Sequence, residues 1–407
     1  MTKPEKTAKF KLINEELSRL KRVLEASEST VNQNVVSDLI TVAALSGVSD
    51  IHLEPMRDNL LIRFRLDGTL YNVFTVPKNK EHNIMSCIKI MSNMNIAEKR
   101  LPQDGRFEIK LKNTGDLIKV RSATMNQVFG EKIVIRIFGQ SVDLFNFDSL
   151  GFSPENKQKF EKLITKKSGL VIVCGPTNSG KSTTLYAAMN KIKKPEFNIV
   201  SVEDPVEYIV DDINQIQVNP FINFDYATVL RGVLRQDPDA IFVGEIRDLE
   251  TAQIAVRAAL TGHLILTTFH ATRSTTCITR LIDMGILPFL VAASINGIIV
   301  QRLARRICSN CIEEIKDEPN ELLGEAPHYR GRGCPACHNT GYRGRIALHE
   351  IMEISGNIRN LIQHRAESIA IFKQARYDGL KTIQEDALEK VKAGIITLHE
   401  AVSLTGD

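Results

Sequence analysis

One segment indicates the fold most clearly: Val171-Ile172-Val173-Cys174-Gly175-Pro176-Thr177-Asn178-Ser179-Gly180-Lys181-Ser182-Thr183. An apolar run enters a loop bounded by two glycines, and a helical sequence follows. This is the pattern G-x-x-x-x-G-K-[ST] between a buried strand and a helix, which is typical of a phosphate-binding loop. Lys181 can reach the β- and γ-phosphates of a nucleotide, and the Ser182 hydroxyl can ligate Mg²⁺. The stretch therefore predicts a site for a nucleotide such as ATP, with Mg²⁺.

Strands and helices alternate from Gly169 onward. We expect strands at 169–174, 198–202, 213–218, 240–244 and 263–268, and helices near 181–193, 226–236, 250–260 and 275–284. Such alternation predicts an α/β fold with a mostly parallel sheet and helices on both faces. The apolar run over 286–300 predicts a buried helix. Ligands of such sheets bind at the carboxyl ends of the strands.

The residues before this region predict a smaller α+β domain. Its expected elements are helices near 34–46 and 84–91, a hairpin turning at Asp67-Gly68, a turn-rich loop over 101–106, and strands near 107–111, 117–124 and 131–138. The expected organisation of the whole chain is a polar arm at 1–30 with a short helix at 12–24, this domain at 31–140, a linker at 141–152, an ATPase core at 153–305, a cysteine-bearing insert at 306–345 and a helical region at 346–407.

Two acidic residues follow predicted buried strands downstream of the loop. Glu203 could orient and deprotonate an attacking water, and Glu245 could hold Mg²⁺ directly or through water. A single acid at a strand end is more often a helix cap or a surface residue. Two such acids after a phosphate-binding loop favour nucleotide hydrolysis.

A histidine stands at each end of another predicted strand. His270 would emerge at the carboxyl end, where a γ-phosphate would lie, so we expect it to sense that phosphate. His263 stands at the opposite end and is expected to pack or to hydrogen-bond, as most single histidines do.

Two Cys-x-x-Cys pairs give the strongest metal signal. Cys308, Cys311, Cys334 and Cys337 have the spacing C-x₂-C-x₂₂-C-x₂-C, slightly longer than the usual zinc-ribbon window. Four thiolates close a tetrahedral Zn²⁺ site without an open position, so its role would be structural. Incidental cysteines and a redox pair are the alternatives.

Bulk properties exclude some classes of protein. The length of 407 residues indicates two or three domains, and a net charge of +4 argues for neither nucleic-acid nor membrane binding. The first fifteen residues lack the apolar core of a signal peptide, and no apolar run reaches the ~18 residues of a spanning helix. We therefore expect a cytoplasmic protein without a transmembrane segment, with reduced or metal-bound cysteines.

Over about residues 34–407 the chain resembles the secretion ATPases of type II secretion and type IV pilus assembly. The stretches that carry the resemblance are 49–55, 63–68, 100–106, 130–132, 175–183 as Walker A, 202–207 as the Asp box, 234–248 around Walker B, 261–270 as the His box, and 280–285. The four cysteines and the tail 379–386 are similar to the assembly and secretion branch, whereas the retraction branch is expected to lack the cysteines.

The resemblance implies a RecA-like hexameric ATPase, peripheral at the cytoplasmic face of the inner membrane, that acts on a membrane platform protein. It implies that Glu203 is the general base, Glu245 a Mg²⁺ or water residue and His270 a γ-phosphate sensor. Arg121 and Arg136 of the first domain, PAS-like in this family, would reach the nucleotide. The expected function is assembly of a type IV pilus or a secretion pseudopilus. The alternatives are pilus retraction, DNA translocation and a scaffold that binds nucleotide without hydrolysing it.

Two features depart from the family pattern. The extra domain that often docks such an ATPase to its membrane partner is expected to be missing or reduced to residues 1–30. Thr272-Arg273 also stands where the family has a polar Asn-Asp pair shortly after the second histidine of the His box.

Overall fold

The computed structural model describes residues 18–24, 32–111, 115–138, 145–315, 322–324 and 326–406. The chain divides into two compact units. The first is Met1–Ser141 with Cys308–Cys311 and Arg332–Gly344, and the second is Val142–Ile307 with Ile312–Gly331 and Arg345–Asp407. The polar arm predicted at 1–30 lies outside the described residues apart from a helix over 18–24 (α1), and so do residues 139–144, which include the first part of the predicted linker.

The first unit is built around an antiparallel sheet. Its further elements are α2 (Gln33–Leu45), β1 (Val48–Pro55), β2 (Asn59–Leu66), β3 (Thr69–Pro77), α3 (Lys78–Met91), β4 (Gln103–Lys110), β5 (Leu117–Gln127) and β6 (Gly130–Phe138). The described strands form a six-stranded sheet in the order β3-β2-β1-β6-β5-β4. Asp67 and Gly68 both have positive φ, as the predicted hairpin turn between β2 and β3 requires. Apolar side chains of α2, α3 and one sheet face form the core of this unit.

The turn-rich loop predicted over 101–106 is wrong over residues 103–106, because β4 already begins at Gln103. Asp104-Gly105 has the composition of a turn but pairs with β5, where Gly105 lies opposite Ser122. A Cβ on Gly105 would lie 2.3 Å from the carbonyl oxygen of Ser92. The glycine therefore serves a close approach of two backbones rather than a turn.

The second unit contains the alternating strands and helices. Its elements are α4 (Pro154–Ile164), β7 (Gly169–Cys174), α5 (Lys181–Ile192), β8 (Ile199–Glu203), β9 (Asn214–Gln217), α6 (Tyr226–Val233), β10 (Ala240–Val243), α7 (Leu249–Leu260), β11 (Leu264–Phe269), α8 (Ser274–Asp283), α9 (Pro288–Ser294), β12 (Ile295–Ile307), β13 (Ile312–Ile315), β14 (His328–Gly331), β15 (Tyr342–Glu353), α10 (Gly356–Gln363), α11 (Ser368–Tyr377), α12 (Ile383–Lys392) and α13 (Leu398–Thr405).

Seven of the described strands of this unit form one sheet in the order β15-β12-β7-β11-β10-β8-β9, and β13 and β14 form a separate two-stranded sheet. The strands from β12 to β9 in that order are parallel to one another. Every residue of β7, β8, β10 and β11 is buried, because helices cover both faces of the sheet. This confirms the predicted α/β fold with a mostly parallel sheet.

The buried helix predicted over 286–300 is wrong for its second half. The helix α9 ends at Ser294, and Ile295 begins β12, which pairs with β7. A strand buried on both faces shows the same continuous apolar run as a buried helix, so periodicity does not separate the two. Gly297 lies in this strand at a point where the Leu163 side chain approaches the backbone closely. A Cβ on Gly297 would lie 2.5 Å from Leu163 Cδ1.

The helices predicted for 346–407 are present as α10 to α13, and the strand β15 runs into this region at the edge of the sheet. None of the helices among the described residues combines the length and the apolar character that crossing a bilayer requires.

Candidate nucleotide site and tetracysteine cluster

The predicted phosphate-binding loop connects the carboxyl end of β7 to the first residue of α5. Gly180 has φ +85°, a conformation that favours glycine. A Cβ on Gly175 would lie 2.3 Å from the carbonyl oxygen of Gln301 on β12. Both glycines are therefore required by the backbone geometry of the loop.

Gln301 also fixes the loop through its side chain. Its Nε2 atom donates to the Ser179 carbonyl at 2.7 Å, and its Oε1 atom accepts from Thr184 Oγ1 at 2.7 Å. The side chain is fully buried, so these bonds do not compete with water. Gln301 ties β12 to both sides of the loop, and no local pattern around it indicated this.

Lys181 lies at the start of α5 with its ammonium folded onto the loop. Its Nζ atom donates to the carbonyls of Gly175 at 3.0 Å and Pro176 at 2.9 Å. Burial lowers the pKa of Lys181 from its usual value. Ser182 is the next residue of α5 and is partly exposed, and its role as a Mg²⁺ ligand stays a prediction.

Glu203 is the last residue of β8, and its carboxylate is buried and held by three donors. The Tyr186 hydroxyl donates to Oε2, while Ser201 Oγ and Gln215 Nε2 donate to Oε1 at 2.6 and 3.1 Å. A charged group this buried is stable only when such partners satisfy it. The carboxylate therefore has a fixed orientation at the carboxyl end of its strand.

Glu245 follows β10 and lies beside a histidine and an arginine. Its Oε2 atom is 3.6 Å from Nε2 of His270, and Arg247 forms an ion pair with its other carboxylate oxygen. The Thr268 hydroxyl donates to the Gly244 carbonyl at 2.6 Å, which joins the ends of β10 and β11. The two strands are parallel neighbours, so their carboxyl ends bring Glu245 and His270 together.

The two histidines of the predicted His box lie in different surroundings. His270 is half-exposed, and burial followed by the charge of Lys181 lowers its pKa. The Arg280 guanidinium donates to the His270 carbonyl. His263 stands at the other end of β11, where its Nδ1 atom contacts the Ala258 carbonyl at 3.2 Å, in line with the hydrogen-bonding role expected for it.

Arg121 and Arg136 are paired with acids of the first unit. They lie directly opposite each other on β5 and β6. Arg121 contacts Asp104 at 3.2 Å, and Arg136 contacts Asp50 at 2.9 Å. Two like charges at opposed positions repel, and the acids offset this repulsion. Their predicted contact with nucleotide stays a prediction.

The four predicted metal ligands form one cluster. The sulfurs of Cys308, Cys311, Cys334 and Cys337 all lie within 4.8 Å of one another. Three of the sulfur–sulfur distances are 3.9, 3.9 and 3.7 Å. A Zn²⁺ ion about 2.3 Å from four sulfurs would space them about 3.8 Å apart, so the cluster fits such an ion.

The backbone around Cys337 favours its thiolate form. Although burial opposes it, the N–H groups of Cys334 and Gly341, at 3.2 and 3.3 Å from the sulfur, lower the pKa of Cys337 to about 7. Zn²⁺ binds thiolates rather than thiols, so these donors suit a metal ligand.

The comparisons with known proteins agree with this geometry. A family model described as type II/IV secretion system protein matches residues 25–403. The chain belongs to this family. It is similar to the type IV pilus assembly ATPase PilB of Thermus thermophilus, at 42% identity over 94% of this chain and 44% of that protein. It is also similar to the type II secretion system ATPase E of Vibrio cholerae, at 41% identity over 97% of this chain and 80% of that protein. The chain thus spans less than half the length of the first relative and four fifths of the second.

Two solved structures of ATPases have a similar fold. The pilus retraction motor PilT with bound ADP matches 91% of this chain and 97% of its own length, at 26% identity and a TM-score of 0.65. The ATPase DotB of Yersinia pseudotuberculosis matches 94% of this chain and 96% of its own length, at 20% identity and a TM-score of 0.71. The family's ATPases bind and hydrolyse ATP, so ATP is the nucleotide that the site implies.

The departure at Thr272-Arg273 lies at the start of α8. Arg273 occupies the N-cap position of this helix, and its side chain makes no capping hydrogen bond. The resemblance implies an acid at this point, and an Asp at an N-cap accepts a hydrogen bond from the first turn. In this chain the first turn of α8 has no side-chain cap from residue 273.

Proposed function

We propose that this chain is a motor ATPase that couples ATP hydrolysis to assembly of a type IV pilus or a type II secretion pseudopilus. The observation that carries the proposal is the convergence of Glu203, Glu245 and His270 with the phosphate-binding loop at the carboxyl ends of adjacent parallel strands. The names of the relatives, pilus assembly ATPase and secretion ATPase, support the process.

The residues take the following parts in hydrolysis. The N–H groups of the loop and the Lys181 ammonium bind the phosphates. Glu203 takes a proton from the attacking water as general base. His270 contacts the γ-phosphate, and Glu245 orients His270 and holds Mg²⁺ with Ser182. When bound, Mg²⁺ offsets the negative charge of the phosphates.

We infer the assembly and its surroundings from the resemblance to the secretion ATPases. The working form is a homohexamer, peripheral at the inner membrane on its cytoplasmic side, that acts on a membrane platform protein. Arg121 and Arg136 bind the phosphates of the nucleotide. The tetracysteine cluster holds Zn²⁺ as a structural ion, whose binding orders the surrounding loops.

A second candidate function is pilus retraction, which the likeness to PilT favours. The tetracysteine cluster argues against it, because the retraction branch is expected to lack the four cysteines. Deletion of the gene separates the two, since loss of an assembly motor removes surface pili or blocks export, and loss of a retraction motor leaves excess pili.

Phosphate release by the purified chain tests the enzymatic part. We expect Lys181→Ala to abolish nucleotide binding and turnover, and Glu203→Gln to keep binding and lose turnover. Lys191→Ala is the matched control, because this lysine lies on the same helix but pairs with Glu161 at 3.1 Å. Wild-type turnover by Glu203→Gln would show that Glu203 is not the base. ATPase activity that depends on added DNA would instead support a translocase, and binding of ATP without phosphate release would support a scaffold.

A further inference from the structure

Tyr186 lies on α5, the helix that begins at Lys181, and its phenol ring is buried. The hydroxyl donates to Oε2 of Glu203. Burial, followed by the negative charge of Glu203, raises the pKa of Tyr186 above the usual tyrosine value. The phenol therefore stays protonated at physiological pH and acts as a donor to the carboxylate.

The tyrosine ring is itself held in place by other aromatic rings. The ring centroids of Phe145, Tyr208 and Phe242 lie 5.3, 5.9 and 5.9 Å from that of Tyr186, all at tilted or edge-on angles. These are favourable geometries for aromatic pairs. The hydroxyl cannot swing away from Glu203 without displacing this cluster, so the donor is pre-organised.

Three elements converge on the carboxylate. Tyr186 approaches from α5, Ser201 from β8 and Gln215 from β9. Gln215 also donates to the Tyr208 carbonyl at 2.9 Å, which ties the loop after β8 to the same cluster. A base with a single orientation needs no rearrangement when water arrives, provided that the orientation is the productive one.

We propose that Tyr186 is a positioning residue, which holds the Glu203 carboxylate in the orientation in which it accepts the proton of the attacking water. This inference rests on the proposed function of the same site. Because α5 carries both Lys181 and Tyr186, one rigid helix sets the position of the phosphates and the position of the base. Glu203 alone meets the water, and Tyr186 acts through Glu203.

A purely structural role for the hydroxyl predicts a different outcome. A buried carboxylate needs donors in any protein, so removal of one lowers stability whether or not Glu203 takes part in hydrolysis. A loss of stability lowers the fraction of folded enzyme. It therefore lowers turnover by the same factor whether or not Glu203 is also replaced. The dependence of turnover on both residues therefore distinguishes the two roles.

The test is Tyr186→Phe in the full chain, with phosphate release measured against MgATP concentration and binding measured with a fluorescent ATP analogue. We expect kcat to fall about tenfold while KM and analogue affinity stay within about twofold of wild type. Tyr208→Phe is the matched control, because its ring belongs to the same aromatic cluster and its hydroxyl is not among the three donors to Glu203 described above. That control is expected to keep a wild-type kcat.

A double-mutant cycle with Glu203→Asp, which keeps a carboxylate and a measurable residual turnover, gives the decisive readout. If Tyr186 acts through Glu203, Tyr186→Phe lowers kcat by much less than tenfold in the Glu203→Asp background, because the shortened side chain no longer places the carboxylate where the Tyr186 hydroxyl holds it. A full tenfold loss in that background, or a wild-type kcat for the single variant, overturns the inference. Ser201→Ala removes a donor from the other carboxylate oxygen, and it should likewise lower kcat while KM stays near the wild-type value. This variant keeps the test valid if Tyr186→Phe fails to fold.

Failure of this inference differs from failure of the proposed function. Wild-type turnover by Glu203→Gln contradicts the assignment of the base itself. An inactive Glu203→Gln together with a fully active Tyr186→Phe contradicts only the role of Tyr186.

Discussion

The Nε2 atom of His270 lies 3.6 Å from Oε2 of Glu245, at the carboxyl ends of two neighbouring parallel strands. His263 stands just before the same strand, at its opposite end. Parallel strands place all their carboxyl ends at one edge of a sheet, so only His270 reaches the region of the phosphate-binding loop. The strand thus carries one histidine near the predicted chemistry and one far from it.

We expect His270→Ala to lower kcat for ATP hydrolysis by about 10- to 100-fold, because a lost transition-state contact to a phosphate oxygen has an effect of this size. Nucleotide binding should change much less. Steady-state phosphate release and analogue binding measure the two effects. His263→Ala serves as the control and should keep turnover within about twofold of wild type. Equal losses in both variants would show that the position of the histidine on the strand does not matter.

We expect the purified chain to contain one Zn²⁺ ion, and the double variant Cys334→Ser/Cys337→Ser to contain none. Binding to four thiolates contributes on the order of 10 kcal/mol, so loss of the metal should lower the thermal midpoint clearly. Elemental analysis and thermal unfolding measure both effects. Cys87→Ala, which lies outside the cluster, should keep the metal. A wild-type chain without zinc after growth in zinc-supplemented medium would contradict the site.

We expect Arg273→Asn to stabilise the second unit by about 1 kcal/mol, because Asn at an N-cap accepts a hydrogen bond from the first turn of a helix. Asn is preferred to Asp for this test, since the buried Glu350 lies within the electrostatic range of Arg273. The apparent free energy of urea unfolding is the measurement. Arg273→Ala removes the charge without adding a cap, and a gain of the same size from Ala would show that charge rather than capping is responsible.

His349 should make stability depend on pH. Its ring is fully buried and stacked on Phe152 at 3.8 Å, and neither ring nitrogen has a hydrogen-bond partner among the described residues. Burial, followed by the charge of Lys390, lowers its pKa well below 6.5. Below pH 6.5 the unfolded chain binds a proton that the folded chain does not, so stability falls as the pH falls.

We therefore expect His349→Phe to flatten the decline of unfolding free energy between pH 6.5 and 5, by up to about 1.4 kcal/mol per pH unit. Asp386, which accepts from the His349 backbone N–H at 2.9 Å, and Lys390 face this site from α12 in both proteins. The titration of Asp386 is therefore largely common to the two curves. His364→Gln, at an exposed histidine, should leave the slope unchanged. Parallel curves for wild type and His349→Phe would rule out His349 as the source.

Much of the fold could be predicted because its signals are local. The strand before the loop, the helix after it and the alternation that follows are each visible within about ten residues. The errors fall where two structures share one local pattern. Gln103 to Gly105 has the composition of a turn and pairs as a strand, and the run after Ser294 is apolar enough for a buried helix but forms β12.

The candidate site could be predicted in part for the same reason. Glu203, Glu245 and His270 follow apolar strands, so the sequence placed them at strand ends. The contacts of Tyr186 with Glu203 and of Gln301 with the loop could not be predicted. Gln301 lies 122 residues from Ser179, and the contact exists only because β12 pairs with β7.

The α/β alternation, the phosphate-binding loop and the four cysteines could be predicted because each depends on residue types at short fixed spacings. Which side chains meet depends instead on how the whole unit folds. The order of strands in the sheet sets Glu245 beside His270 and brings Tyr186, Ser201 and Gln215 onto the Glu203 carboxylate. That order depends on how buried faces pack over the whole unit, and no short stretch of sequence contains it.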